Sequence, residues 1–382
     1  MRPSIRPTAV VAAALVAAVF ALALVARSQL DAQGRSAVVL ATALETPGLA
    51  WAAERLTDAP EVQDLRIAGA PATLARPGGG ERWPALVIVN GATALGRREP
   101  ALQRLVRGLA RAGFLCVLPD LPGLPDGRLG GETVAATVAV ARATARREDV
   151  EGGRVGLVGV SVGTSLALLA AAEPSLAGAV SMVAGTAPYA DLGNLLRLAT
   201  TGYYRDGNLL VRYDSDPFLA VAAARSLAAV APGPEGVRLT SLASELDEDA
   251  DDPLAPLRAL PTEAVPPEAR PFVMLLANRD PRRFDELYGA LPAQTRDAIE
   301  QLSPLTHVSR IRVPLELATA SEDRYVPLAE VEALARAASD ARVTVTDTLT
   351  HAVPRPSLGA LGDLAHFNGW VVRSLRAATD PE

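Results

Sequence analysis

The 382-residue chain sets 37 basic residues, every one of them arginine, against 43 acidic ones for a net charge of -6, with 49% apolar and 21% charged residues. That balance supports a sizeable buried core and argues against a disordered chain, and without a concentrated basic stretch it leaves no footprint for nucleic acid. The single cysteine, Cys116, cannot close an internal disulfide and sits in an apolar run that suits a buried thiol, while three histidines without close Cys/His/Asp spacing give no zinc signature.

Residues 1–30 are expected to form a transmembrane anchor or signal segment. Positions 8–26 hold no charge, Arg2 and Arg6 precede them and Arg27 follows; nineteen helical residues rise about 28 Å, close to the hydrocarbon thickness of a bilayer. The leading positive charges predict a cytoplasmic amino end and an extracytoplasmic remainder. Ala21-Leu22-Ala23 offers a small-residue cleavage site inside the run, so the alternative to an uncleaved anchor is a secreted protein.

Residues 31–61 are expected to be a spacer with helical stretches at 35–44 and 49–56, packed outside the domain. Alternation over 62–76 predicts two antiparallel strands at a sheet edge, closed by Pro77-Gly78-Gly79-Gly80. A continuous apolar strand at 84–90, of the kind buried on both faces of a parallel sheet, precedes a helix at 99–112 and a second such strand at 114–118. A helix follows at 132–147, then a strand at 155–160, a helix rich in alanine and leucine, and a strand at 177–183. The alternation resumes with a strand at 314–319, a helix at 328–338, a strand at 342–346 and a final helix at 358–378. Strands and helices alternating at this spacing predict right-handed parallel crossovers, hence an α/β fold with a mostly parallel sheet covered on both faces. The interval 189–302, rich in proline and carrying an acidic run at 245–252, breaks the pattern and is expected to be an inserted cap between two core segments, 62–188 and 303–382.

Gly159-Val160-Ser161-Val162-Gly163 joins the strand at 155–160 to its helix. A serine on so sharp a turn, flanked by glycines that avoid backbone collisions and placed before a helix N-terminus, has the layout of a nucleophile elbow. A serine hydroxyl is a weak nucleophile at neutral pH and needs a base and a carboxylate to orient that base.

With Asn90-Gly91-Ala92, Pro119-Asp120-Leu121-Pro122-Gly123, Ser303-Pro304-Leu305-Thr306-His307, Asp323 followed by Val326-Pro327, and His351 in this order, the chain resembles the α/β-hydrolase superfamily. Within it, the resemblance is to the dienelactone-hydrolase-like and prolyl-oligopeptidase-like serine hydrolases, over most of 62–379. The resemblance implies Ser161 as nucleophile, His351 as base and Asp323 as acid, with Glu322 its rival, and the amides of Ala92 and Val162 as oxyanion donors. Asn90 departs from relatives that carry histidine there. His307 and His366 are expected to pack or hydrogen-bond, and Asp120 to order a turn. Tyr203, Tyr204, Tyr213 and Phe218 are candidates to line an acyl pocket. The expected activity is hydrolysis of a small-molecule carboxylic ester without cofactor or metal, at a membrane reached through the N-terminal helix. A peptidase or envelope acyltransferase with the same triad, or a binding protein that keeps the fold without turnover, are the alternatives.

Overall fold

The computed structural model describes residues 31–44, 48–351, 353–354 and 361–379. The expected membrane segment at 8–26 lies outside the described residues; among those described, no helix is long and apolar enough to cross a membrane.

Helices α1 (Asp31–Ala43) and α2 (Leu49–Leu56) open the described chain. Where the sequence suggested an outer spacer, Val38, Val39, Leu40 and Ala41 of α1 are buried in a core cluster. The approach of α1 to α3 (Pro100–Arg111) depends on Gly108, where a Cβ would stand 3.1 Å from Thr42 Cβ and 3.3 Å from the Val39 carbonyl oxygen.

Strands β1 (Glu61–Ile67) and β2 (Ala70–Arg76) form the expected antiparallel edge hairpin, turning at Ala68 and Gly69, which both have positive φ. β3 (Trp83–Val89), β4 (Leu115–Pro119), β5 (Val150–Val160) and β6 (Val180–Thr186) follow, and β7 (Tyr203–Asp206) with β8 (Leu209–Arg212) makes a separate hairpin. With β9 (Leu315–Thr319) and β10 (Ala341–Val345) they complete an eight-stranded sheet in the order β1-β2-β4-β3-β5-β6-β9-β10. The β2–β4 pair is antiparallel, and every pair from β4 to β10 is parallel. β6 lies three residues further on than its apolar run suggests. A 3-10 turn at Pro174–Leu176 and the left-handed Gly178 delay its start, and Gly185 lets it continue beneath Thr164, whose Oγ1 would be 2.4 Å from a Cβ there.

The apolar strands divide their side chains between two faces, as a period of two requires. Leu86, Ile88, Cys116, Leu118, Met182 and Ala184 lie in one cluster with residues of α1 and α3. Val87, Val89, Leu115, Val117, Leu157 and Val183 lie in the other, with α4 (Gly131–Ala145) and α5 (Val162–Ala171). That second cluster runs on into the interval between β6 and β9. There α6 (Leu192–Thr201), α7 (Phe218–Val230), α8 (Gly233–Ser244) and four short helices, α9 (Ala255–Arg258), α10 (Arg270–Ala277), α11 (Phe284–Gly289) and α12 (Ala293–Gln301), contribute Leu196, Leu227, Phe272 and Ile299.

The ends of this interval are tied to each other and to the sheet layer. Tyr189 Oη donates to the Leu302 carbonyl (2.8 Å), and the Leu192 amide donates to Ser303 Oγ (3.0 Å). Glu330, buried in α13 (Leu328–Ala337), accepts from the amides of Ala190 (2.8 Å) and Asp191 (2.9 Å) and from Asn194 Nδ2 (2.6 Å). β11 (Leu349–Thr350) and β12 (Val353–Pro354) form a two-stranded ladder, and α14 (Leu361–Thr379) returns to the α1 side of the sheet, where Phe367, Trp370, Val371 and Leu375 join the first cluster.

Candidate active site

Ser161 stands between β5 and α5 with φ 54° and ψ -129°, a conformation that costs a residue with a side chain roughly 1–3 kcal/mol. Its amide donates to the Thr186 carbonyl (2.9 Å) and its own carbonyl accepts from the Thr164 amide (2.8 Å), which holds the turn. The turn is too tight for side chains on either flank. A Cβ at Gly159 would lie 2.2 Å from Thr164 Cα, and one at Gly163 would lie 2.1 Å from the Val89 carbonyl oxygen.

His351 follows β11 in the turn to β12 and itself takes φ 56°. Its Nε2 is 2.7 Å from Ser161 Oγ, and its Nδ1 is 2.7 Å and 2.9 Å from the two carboxylate oxygens of Asp323. With the proton on Nδ1 donated to Asp323, Nε2 offers its lone pair to the serine hydroxyl. Asp323, on the loop after β9, has a fully buried side chain whose Oδ1 also accepts from the amides of Tyr325 (2.7 Å) and Val326 (3.0 Å). These donors fix the carboxylate so that it can face the imidazole. Its neighbour Glu322 is exposed to solvent.

The amides of Ala92 and Val162 have no acceptor among the described residues. Both residues border the same small chamber as Ser161, and Val162 is the first residue of α5, where an amide is left without an intrahelical partner. Asn90 is buried and its amide group finds no partner among the described residues. Among those residues, too, no group of three or more His, Cys, Asp and Glu side chains is placed to hold a metal ion.

Two chambers meet at Ser161. The smaller, about 80 Å³, lies under α6 and α7, walled by Leu192, Leu196, Leu219, Ala223 and Val326. The larger, about 640 Å³, passes Ser161 and His351 and extends over the α1 face of the sheet between α3 and α14.

Of the aromatic candidates in the interval, Phe218 borders both chambers. Tyr213 instead donates its hydroxyl to the Asp323 carbonyl, and burial pushes its pKa well above the usual tyrosine range, so it remains a donor. Tyr204 packs edge-on against Tyr213, and Tyr203 borders a separate hollow. His307 Nε2 contacts the Gln301 carbonyl (3.2 Å), and His366 is exposed on α14. Asp120 accepts from the Arg97 amide (2.8 Å) and forms an ion pair with its guanidinium (3.0 Å), which orders the turn before α3. Burial raises the Cys116 thiol well above its ordinary pKa.

Sequence reasoning passed over Tyr325. Its ring centroid lies 4.4 Å from that of His351, and the residue borders both chambers. Its place two residues beyond Asp323 was the available signal. Val158, Leu105 and Trp370 of the larger chamber carry no such signal, because their spacing is that of ordinary core.

A strand ending in a serine turn, a helix directly after it, and an acid and then a histidine supplied by later strand ends make up the layout of the α/β-hydrolase fold, and this chain has that fold. No family model and no curated protein matches the sequence. Among solved structures, the chain is similar to an acylaminoacyl peptidase of Pyrococcus horikoshii at 14% identity and TM-score 0.46, over 80% of this chain and 39% of the peptidase. It is similar to Est1E of Butyrivibrio proteoclasticus at 12% and 0.47, over 83% and 98% of the two chains. A membrane phospholipase A described as a bacterial virulence factor gives 18% and 0.42, over 87% and 93%. The chain thus spans about two fifths of the length of the peptidase.

Proposed function

We propose that the protein is a serine hydrolase of carboxylic esters. The observation that carries this reading is the continuous hydrogen-bonded chain from Ser161 Oγ through both ring nitrogens of His351 to the buried carboxylate of Asp323. In the proposed reaction Ser161 Oγ attacks the ester carbonyl as His351 Nε2 takes the hydroxyl proton. The negative oxygen of the tetrahedral intermediate is met by the amides of Ala92 and Val162, free donors that need no reorganisation. His351 then returns the proton to the departing alcohol, and water, deprotonated by the same nitrogen, releases the acid and restores the serine. Asp323 stays ionised, holding the imidazole in the required tautomer and stabilising the transient imidazolium.

The same proposal places the catalytic domain outside the cytoplasm on an anchor formed by residues 8–26. Its support is the uncharged run between Arg6 and Arg27, with the charge excess ahead of it.

The test is labelling of the full-length protein with a fluorophosphonate beside Ser161→Ala and His351→Ala, together with hydrolysis of p-nitrophenyl acetate. The expected result is adduct formation in the wild type alone and a loss of kcat in Ser161→Ala of about 10⁶-fold. A folded wild type that neither labels nor turns over the ester overturns the reading.

A further inference from the structure

The two chambers differ eightfold in volume, about 80 Å³ against about 640 Å³, and they meet the reacting atoms differently. Ser161 and Ala92 border both, but Val162 borders only the smaller and His351 only the larger. That asymmetry has a chemical meaning if Ser161 is the nucleophile, the reading on which this inference rests. Four groups surround the tetrahedral carbon: Oγ, the oxyanion turned to the amides, the acyl substituent and the leaving oxygen. The leaving oxygen must receive its proton from His351 Nε2, so the group it carries extends on the histidine side. The acyl substituent is left with the chamber beside Val162.

The larger chamber is walled by apolar side chains from the sheet and three helices, among them Leu86, Val158 and Met182 of the sheet, Leu40 of α1, Leu105 of α3, and Trp370 of α14. Val158 sits on a central strand and is yet only half-buried, while Leu157 beside it and Leu86 and Met182 on the neighbouring strands are 0–1% exposed. The middle of the sheet is therefore open to this chamber. Walls that are mainly apolar among the described residues favour an apolar ligand arm, and 640 Å³ lies within the range of cavities that hold small molecules. Glu99, Asp216, Glu248 and Asp249 border the same space, which disfavours an anionic occupant.

We infer that the substrate is an uncharged ester of a short acid with a long aliphatic alcohol, its alkyl arm lying in the larger chamber and its acyl group in the smaller. Attack forms the Oγ–C bond and breaks the bond from that carbon to the alkyl oxygen. The alkyl oxygen leaves with the proton from His351, and water supplies the oxygen and hydrogen that release the short acid.

The test compares two ester series on the full-length protein by proton release: acetates of alcohols from ethyl to decyl, and ethyl esters of acids from acetic to decanoic. In the acetate series kcat/KM is expected to rise by up to about three- to fourfold per added methylene until the chamber is filled, and in the acid series to fall beyond a few carbons. Filling the chamber in Leu105→Trp and, separately, Ala184→Leu is expected to reduce the octyl-to-ethyl acetate ratio by about tenfold or more. Decanol should also slow fluorophosphonate labelling of the wild type, a readout independent of turnover. A rise along the acid series instead, or flat acetate rates, or a ratio unchanged in both variants, overturns the assignment of the chambers while labelling leaves the serine reading intact. Failure of the wild type to label overturns both.

Discussion

At the scale of single residues, the site combines strain with tight hydrogen bonding. Ser161 takes a backbone conformation suited to glycine, held by its bonds to Thr186 and Thr164. Ser161→Gly should therefore fold at least as stably as the wild type, because the relieved strain of roughly 1–3 kcal/mol offsets the added freedom of an unfolded glycine and the lost Oγ–His351 hydrogen bond, together about 1–2.5 kcal/mol. A urea midpoint that moves downward contradicts this. Asp323 meets His351 Nδ1 and two amides with one carboxylate. In Asp323→Asn the imidazole is pushed to the other tautomer, with its proton facing the serine, and kcat should fall about 10⁴-fold with little change in KM. A loss confined to KM would assign Asp323 to substrate binding instead.

At the scale of elements, Glu330 of α13 fastens the start of α6 through three donors. Burial raises its pKa above the ordinary carboxylate value, outweighing those donors, which favour the charged form. A carboxyl with a raised folded pKa binds more protons folded than unfolded between the two values. Its contribution is thus complete below the unfolded pKa, about 4.3, and is lost as pH rises through the folded one. Glu330→Gln cannot ionise, so the stability difference between variant and wild type should shift in favour of the variant as pH rises from 4 to 8. The unfavourable meeting of the new amide with Asn194 adds only a constant. Urea denaturation of both proteins across that range checks this, and parallel curves would remove Glu330 as the source. The serine turn also belongs to this scale. The adjoining glycines were legible as an elbow because strand, turn and helix are contiguous in the chain, whereas the displacement of β6 by three residues came from Gly178 and Gly185, whose turn and close approach to Thr164 of α5 no local pattern carries.

At the scale of the whole molecule, the interval between β6 and β9 shares one apolar cluster with the sheet, and Phe272 within it is fully buried. Phe272→Ala should lower stability by about 3–5 kcal/mol and move a single unfolding transition as a unit. A second, earlier transition in calorimetry would mean that the interval unfolds by itself. The buried face of α1 makes the same point at the other end of the chain: of its six consecutive buried residues, 36–41, Val38, Val39, Leu40 and Ala41 cover the α1 face of the sheet together with α3 and α14.

The sequence by itself determined the alternation of strands and helices, the edge hairpin, the serine turn and the order in which serine, acid and histidine occur, because each depends on neighbours in the chain or on the period of its apolar residues. Tertiary structure alone decided that Asp323 rather than Glu322 faces His351, since adjacent loop residues differ only in where the fold points them. It alone decided that Tyr213 supports the acid loop and that Tyr325 packs on the imidazole. The two unequal chambers belong to the same class: volume left between α3, α14 and the sheet is set by how side chains from distant segments meet, and the spacing that fills a core is the same spacing that leaves a cavity in it.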